Sequence, residues 1–157
     1  MSKNVKQVWT CAAVLLAATV GGCESDNAEP QAGELYALTS ANRLLVMDET
    51  GAIRRSVELM GLEPGEELLG LDMRPADRRF YAVSSTNRLV TVDATLGAVS
   101  GVVTGCTADT TRMCADPADT TDVFSGINGD NFSVDFNPVV DRLRVVSNNG
   151  LNLRINP

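Results

Sequence analysis

The chain contains no histidine in its 157 residues. That absence removes imidazole-based triads, most zinc sites and the commonest general acid or base near neutral pH, so an enzymatic reading must rest on carboxylates. Lysine is nearly absent as well, occurring only at Lys3 and Lys6. Beyond residue 22 the basic side chains are eleven arginines, set against twenty acidic residues, a formal charge of −9. A nucleic-acid partner is not expected, because binding a phosphate backbone needs a basic stripe and these arginines are scattered among more numerous carboxylates. No apolar run is long enough for a permanent membrane span. The longest stretch, from Val8 to Val20, would reach about 20 Å as a helix, against a hydrocarbon core of roughly 30 Å.

What that run does contain is the pattern of an export signal. Lys3 and Lys6 precede it, no acid lies among the first seven residues, and small residues follow at Gly21 and Gly22. Residues 1–22 therefore read as a signal peptide. Val20-Gly21-Gly22-Cys23 resembles the lipobox of bacterial lipoproteins, in which the cysteine thiol is acylated before cleavage. The resemblance implies that Cys23 becomes the first residue and anchors the chain to a membrane through lipid. Ordinary cleavage near Gly22, with Cys23 a free thiol, is the alternative. Glu24 rather than aspartate follows the cysteine, which points to the outer membrane. Residues 23–33 are polar, acidic and punctuated by Pro30 and Gly33, the composition of a flexible tether.

Cysteine is scarce, and its placement agrees with export. Cys11 leaves with the signal, Cys23 is the lipidation candidate, and Cys106 and Cys114 remain as a pair eight positions apart. In an oxidising compartment they are expected to form a disulfide, closing a loop worth about 2 to 3 kcal/mol by loop entropy. The alternative, a metal site built on two thiolates, would lack further cysteine or histidine ligands.

Leu35-Tyr-Ala-Leu-Thr-Ser-Ala-Asn-Arg-Leu44 recurs forty-five positions on as Phe80-Tyr-Ala-Val-Ser-Ser-Thr-Asn-Arg-Leu89, and the match continues to Asp48 and Asp93. A third copy lies sixty-three positions beyond the second. Val134-Asp-Phe-Asn-Pro138 answers Leu71-Asp-Met-Arg-Pro75, Arg142 answers Arg79, and Val145-Val-Ser147 answers Ala82-Val-Ser84. Periods near forty-five in short-strand sequences point to propeller blades or a related stack of sheets. In the middle copy, Leu69 to Arg74, Phe80 to Ser84, Leu89 to Ala94 and Ala98 to Val103 read as four antiparallel strands. The fold class is thus all-β, a propeller-like array of four-stranded antiparallel sheets over residues 34–157. About ten strands make roughly two and a half blades. An Asp-x-x-Gly turn and a fourth strand are expected after Pro157, so the domain reads as truncated.

The turn between the second and third strands of each copy should need positive φ, and its aligned positions are Asn42, Asn87 and Gly150. Asn149-Gly150 predicts a two-residue type I′ hairpin. In the next turn, Asp48 with Gly51 and Asp93 with Gly97 suggest a carboxylate that accepts backbone N–H groups while glycine reverses the chain.

These residues resemble a bacterial secreted family, domain of unknown function 4394. The segments that carry the resemblance are Leu35-Tyr-Ala-Leu-Thr-Ser, Gly70-Leu-Asp-Met-Arg-Pro75, and Phe132-Ser-Val-Asp-Phe-Asn-Pro138 with Asp141-Arg-Leu-Arg-Val-Val146. The resemblance spans Glu34 to Pro157 and implies a repeat-built, propeller-like β protein. It carries no activity, cofactor or catalytic residue to transfer.

The insertion that lengthens the third spacing, about Gly105 to Gly126, is the candidate functional loop. Asp116, Asp119 and Asp122 within it are weak candidates for calcium ligation, though their spacing matches no EF-hand and a solvated acidic loop explains them as well. Asp72 and Asp135 recur in register with Pro75 and Pro138 and are expected to fix a strand exit. Two classes of function follow. One is a non-enzymatic binding or scaffolding module for a protein or polysaccharide, capable of self-association and needing no cofactor. The other is a carboxylate- and calcium-dependent propeller hydrolase or lactonase, which requires acids from several repeats to converge.

Overall fold

A computed structural model describes residues 33–102, 113–114 and 124–157. Ten strands lie among them and no helix does. The first sheet contains β1 (Leu35–Leu38), β2 (Arg43–Met47) and β3 (Ile53–Glu58), in the order β1-β2-β3. The second contains β4 (Leu68–Met73), β5 (Phe80–Ser84), β6 (Leu89–Val92) and β7 (Val99–Gly101), in the order β4-β5-β6-β7. The third contains β8 (Phe132–Asn137), β9 (Arg142–Ser147) and β10 (Asn152–Ile155), in the order β10-β9-β8. All ladders within the sheets are antiparallel. The all-β expectation holds, and the strands predicted in the middle copy fall on β4 to β7. Only that copy shows four strands among the described residues.

The sheets stack in chain order because the middle one is apolar on both faces. Phe80, Ala82, Val90 and Val92 pack with Leu44 and Val57 of the first sheet. Tyr81, Val83 and Leu89 turn the other way, onto Phe136, Leu143 and Val145 of the third. Alternation along a strand sends successive side chains to opposite faces, so a strand apolar at every position must be covered twice. β5 is accordingly buried at all five residues.

Two glycines set how closely the pieces approach. A Cβ on Gly70 would lie 2.6 Å from a methyl of Val134, so glycine lets β4 sit against β8. Gly97, at φ 72°, approaches the backbone of Glu58, and its carbonyl accepts the Met60 N–H at 2.8 Å. Met60 then forms a parallel bridge with Ala98, tying the exit of the first sheet to the edge of the second.

The turns follow the repeat. Asn42, Asn87 and Gly150 have φ of 51°, 63° and 86°, as their alignment requires. The type I′ expectation for Asn149-Gly150 is corrected, since Gly150 alone of the two has positive φ. Gly150 donates its N–H to Ser147 and Ser147 donates to Leu151, and the same pair of bonds recurs at Asn42 and Asn87. This is a three-residue loop, in which a type I turn is followed by one left-handed residue that restores the strand twist. A second positive-φ series, Gly33, Arg78 and Asp141, shares the spacings of forty-five and sixty-three.

Candidate functional site

Several buried and half-buried polar side chains meet at the seams between sheets. At the end of β4 nearest the β5–β6 turn, Asn42 of the first sheet donates from Nδ2 to the Glu66 carbonyl at 2.9 Å and accepts the Leu68 N–H at 2.9 Å. The segment thus pinned carries Glu66, a carboxylate only 3% exposed. Arg88 donates from Nη1 to Glu66 Oε2 at 2.6 Å, Thr86 donates to Oε1 at 2.7 Å, and the Glu63 N–H donates to Oε2 at 2.7 Å. Burial by itself would push the Glu66 carboxyl up. The hydrogen bonds from Ser84, Glu63 and Thr86, with the Arg88 charge, outweigh burial and hold it below the ordinary glutamate range. Arg88 is itself 8% exposed, and among the described residues its Nε meets no hydrogen-bond acceptor, the Glu63 carboxylate lying 4.0 Å away.

The other end of β4 faces the third sheet. Arg74 forks onto Asp141, with Nε 2.8 Å from Oδ1 and Nη2 on Oδ2. Its Nη1 reaches the Tyr81 hydroxyl at 3.3 Å, and that hydroxyl donates to Asp77 Oδ2 at 2.8 Å. The Arg74 fork holds the Asp141 carboxyl below its ordinary range. Burial and the bond to Asp77 push the Tyr81 phenol up. The Tyr81 ring meets Phe136 edge-on at 5.5 Å between centroids. Between the two ends, Asp72 Oδ2 accepts the Phe136 N–H at 2.7 Å, a bond between sheets.

The turn aspartates have the local role expected of them. Asp48 Oδ1 accepts the N–H groups of Thr50 and Ala52, and Asp93 Oδ1 accepts those of Thr95 and Leu96. Asp135 stands in register with Asp72 and is exposed. Cys23, Cys106, Asp116, Asp119 and Asp122 lie outside the described residues. Cys114 is described, next to Met113, which is buried and donates its N–H to the Asn87 carbonyl at 2.7 Å. Asn87 also accepts the Ile127 N–H at 2.7 Å, so one turn residue holds both Met113, within the insertion, and Ile127, just after it. Among the described residues, no group of three or more acidic or cysteine side chains is gathered closely enough to hold a metal ion.

Sequence reasoning missed the Glu66–Arg88 and Arg74–Asp141 pairs. The repeated Asn-Arg dipeptide was the available signal for Arg88, but Arg43 in the first copy takes exposed partners, Ser56 and Glu58. Arg74 and Asp141 are not equivalent positions, so no self-comparison joins them.

Chemically, these arrangements fasten sheets together. Among the described residues, the carboxyls that shift, those of Asp48, Glu66 and Asp141, all move down.

No curated protein matches the chain. A family model does match it over residues 46–157, which takes in the end of β2, all of β3 and the second and third sheets. The chain belongs to that family, Domain of unknown function (DUF4394).

Proposed function

We propose that this chain is an exported lipoprotein, held to the outer membrane through lipid on Cys23, whose stacked β-sheets serve as a non-enzymatic binding or scaffolding module. The observation that carries the module reading is the employment of the carboxylates. Asp48, Glu66, Asp72, Asp77, Asp93 and Asp141 each accept hydrogen bonds from the domain's own backbone or side chains. Acids spent in this way rigidify a scaffold and are poorly placed to exchange protons with a substrate. The anchoring reading rests on the charged, apolar and small-residue order of residues 1–23. A disulfide between Cys106 and Cys114 belongs to the same proposal, since an exported loop gains stability from closure.

The test is the intact mass of the protein extracted from membranes, with and without reduction. The expected mass corresponds to a chain beginning at Cys23 plus about three acyl chains, and reduction adds two hydrogens. Cys23→Ala should move the protein to the soluble fraction. An unlipidated mass overturns the anchor, and an unchanged mass on reduction overturns the disulfide. Calcium-dependent hydrolysis of ester or lactone substrates would overturn the non-enzymatic reading in favour of the hydrolase alternative.

A further inference from the structure

The chain enters the domain at the same end of the stack as two of its hairpins. Gly33, Arg78 and Asp141 are equivalent in the repeat and all have positive φ. Gly33 thus stands before β1 where the β4–β5 and β8–β9 hairpins stand before β5 and β9. The Arg74–Asp141 fork joins those two hairpins directly. Cys23 lies ten residues before Gly33, a distance that the chain can span by at most about 35 Å. Lipid on Cys23 therefore keeps this end of the domain within that distance of a bilayer.

Val139 and Val140, at the tip of the β8–β9 hairpin, are 89% and 54% exposed. The tip is held by its own polar side chains: Asn137 Oδ1 accepts the Val139 N–H at 2.9 Å, and Arg142 donates to the Val140 carbonyl at 3.3 Å. This display does not depend on which sheets stand alongside. The aligned residues of the β4–β5 hairpin, Ala76 and Asp77, are exposed as well, although the second sheet is covered on both faces. At the opposite end the hairpin tips carry Ser40-Ala41, Ser85-Thr86 and Asn148-Asn149, with no large apolar side chain. Charge separates the ends too. Residues 74–79 and 137–142 hold four arginines against two aspartates, in a chain whose overall charge is strongly negative. Arg74 pairs with both of those aspartates, Asp77 and Asp141, and Arg79 is exposed.

We propose that the end of the stack bearing the β4–β5 and β8–β9 hairpins rests on the bilayer surface, with Val139 and Val140 among the lipid headgroups and Arg79 against anionic ones. The proposal rests on the lipid-anchor reading and says which end of the domain the anchor turns to the membrane. Apolar side chains gain by leaving water at the interface, and an arginine near an anionic surface adds an attraction that salt weakens. Two valines and an arginine would hold a free protein only feebly. The tether changes that, because it raises their effective concentration at the surface and lets a weak contact be populated. Anionic lipid repels the acidic remainder of the domain, which favours this end over the others.

Trp9, the one tryptophan of the sequence, lies within residues 1–22, so a tryptophan introduced into the domain reports alone once the signal is removed. Val139→Trp and Asn149→Trp place that reporter at exposed positions beyond opposite ends of β9, about 20 Å apart. Each full lipoprotein is reconstituted in vesicles of phosphatidylethanolamine and phosphatidylglycerol, with and without brominated acyl chains, which quench tryptophan on contact. Bromolipid should quench the reporter at 139 at least about threefold more than the reporter at 149. Adding Val140→Asp or Arg79→Glu to the Val139→Trp chain should cut that quenching by about half or more. The proposal is overturned by equal quenching of the two reporters, by none at 139, or by quenching that survives both added substitutions. Flotation with the vesicles reads the anchor separately. A chain that proves unlipidated is coupled through Cys23 to a maleimide-bearing lipid without reduction and measured in the same way, so the anchor and this orientation fail separately.

Discussion

Arg88 and Glu66 form a buried pair whose worth is best measured by breaking it. Removing one partner leaves the other charge uncompensated in a region that excludes water, at a cost of about 3 to 5 kcal/mol. Arg88→Met is therefore expected to lower stability by that amount in urea denaturation, and a loss under about 1 kcal/mol would mean that water reaches Glu66. The pH dependence has a definite sign. The Glu66 carboxyl is lower in the folded chain than its ordinary value of 4.5, so its contribution is fully present above that value and is lost as pH falls through the folded one. Melting temperatures between pH 7 and pH 3 should show the gap between the unsubstituted chain and Glu66→Gln narrowing on the acid side. A constant gap would sink the assignment.

Single strands here depend on neighbours from other sheets. β4 is the clearest case, because it holds the first sheet through the Glu66 segment and the third through Asp72 and Arg74. Asp72→Ala would orphan the Phe136 N–H, with an expected loss of about 1 to 3 kcal/mol. Asp72→Asn retains an acceptor oxygen and should recover most of that loss, and equal losses in the two variants would show that the bond does not matter. The strands and their turns were legible in the sequence because hairpins are local: alternation, a left-handed residue and an Asp-Gly turn fit within about twenty residues. The turn type was misjudged. Asn-Gly favours type I′ in isolation, yet Asn149 keeps negative φ in a loop built like those at Asn42 and Asn87, where glycine does not follow.

Across the stack, burial is uneven. The middle sheet is covered on both faces, whereas β3 and β10 are exposed or half-buried at most positions. Amide exchange should accordingly be slowest in β5 and β6 and faster by at least about tenfold in β3 and β10, since openings that expose little apolar surface cost least. Uniform protection across all three sheets would instead show that they open only together.

The sequence by itself determined the all-β class, the period, the strand positions, the positive-φ turns and the family resemblance. Each depends on local pattern or on repetition, which a chain displays without folding. Only the tertiary structure decided which carboxylates meet which guanidiniums and that Asp72 reaches across to β8. Arg74 meets Asp141 and Asp72 meets the Phe136 N–H across more than sixty positions, at places the repeat does not equate. Backbone stacking brings them together, and no linear pattern records it.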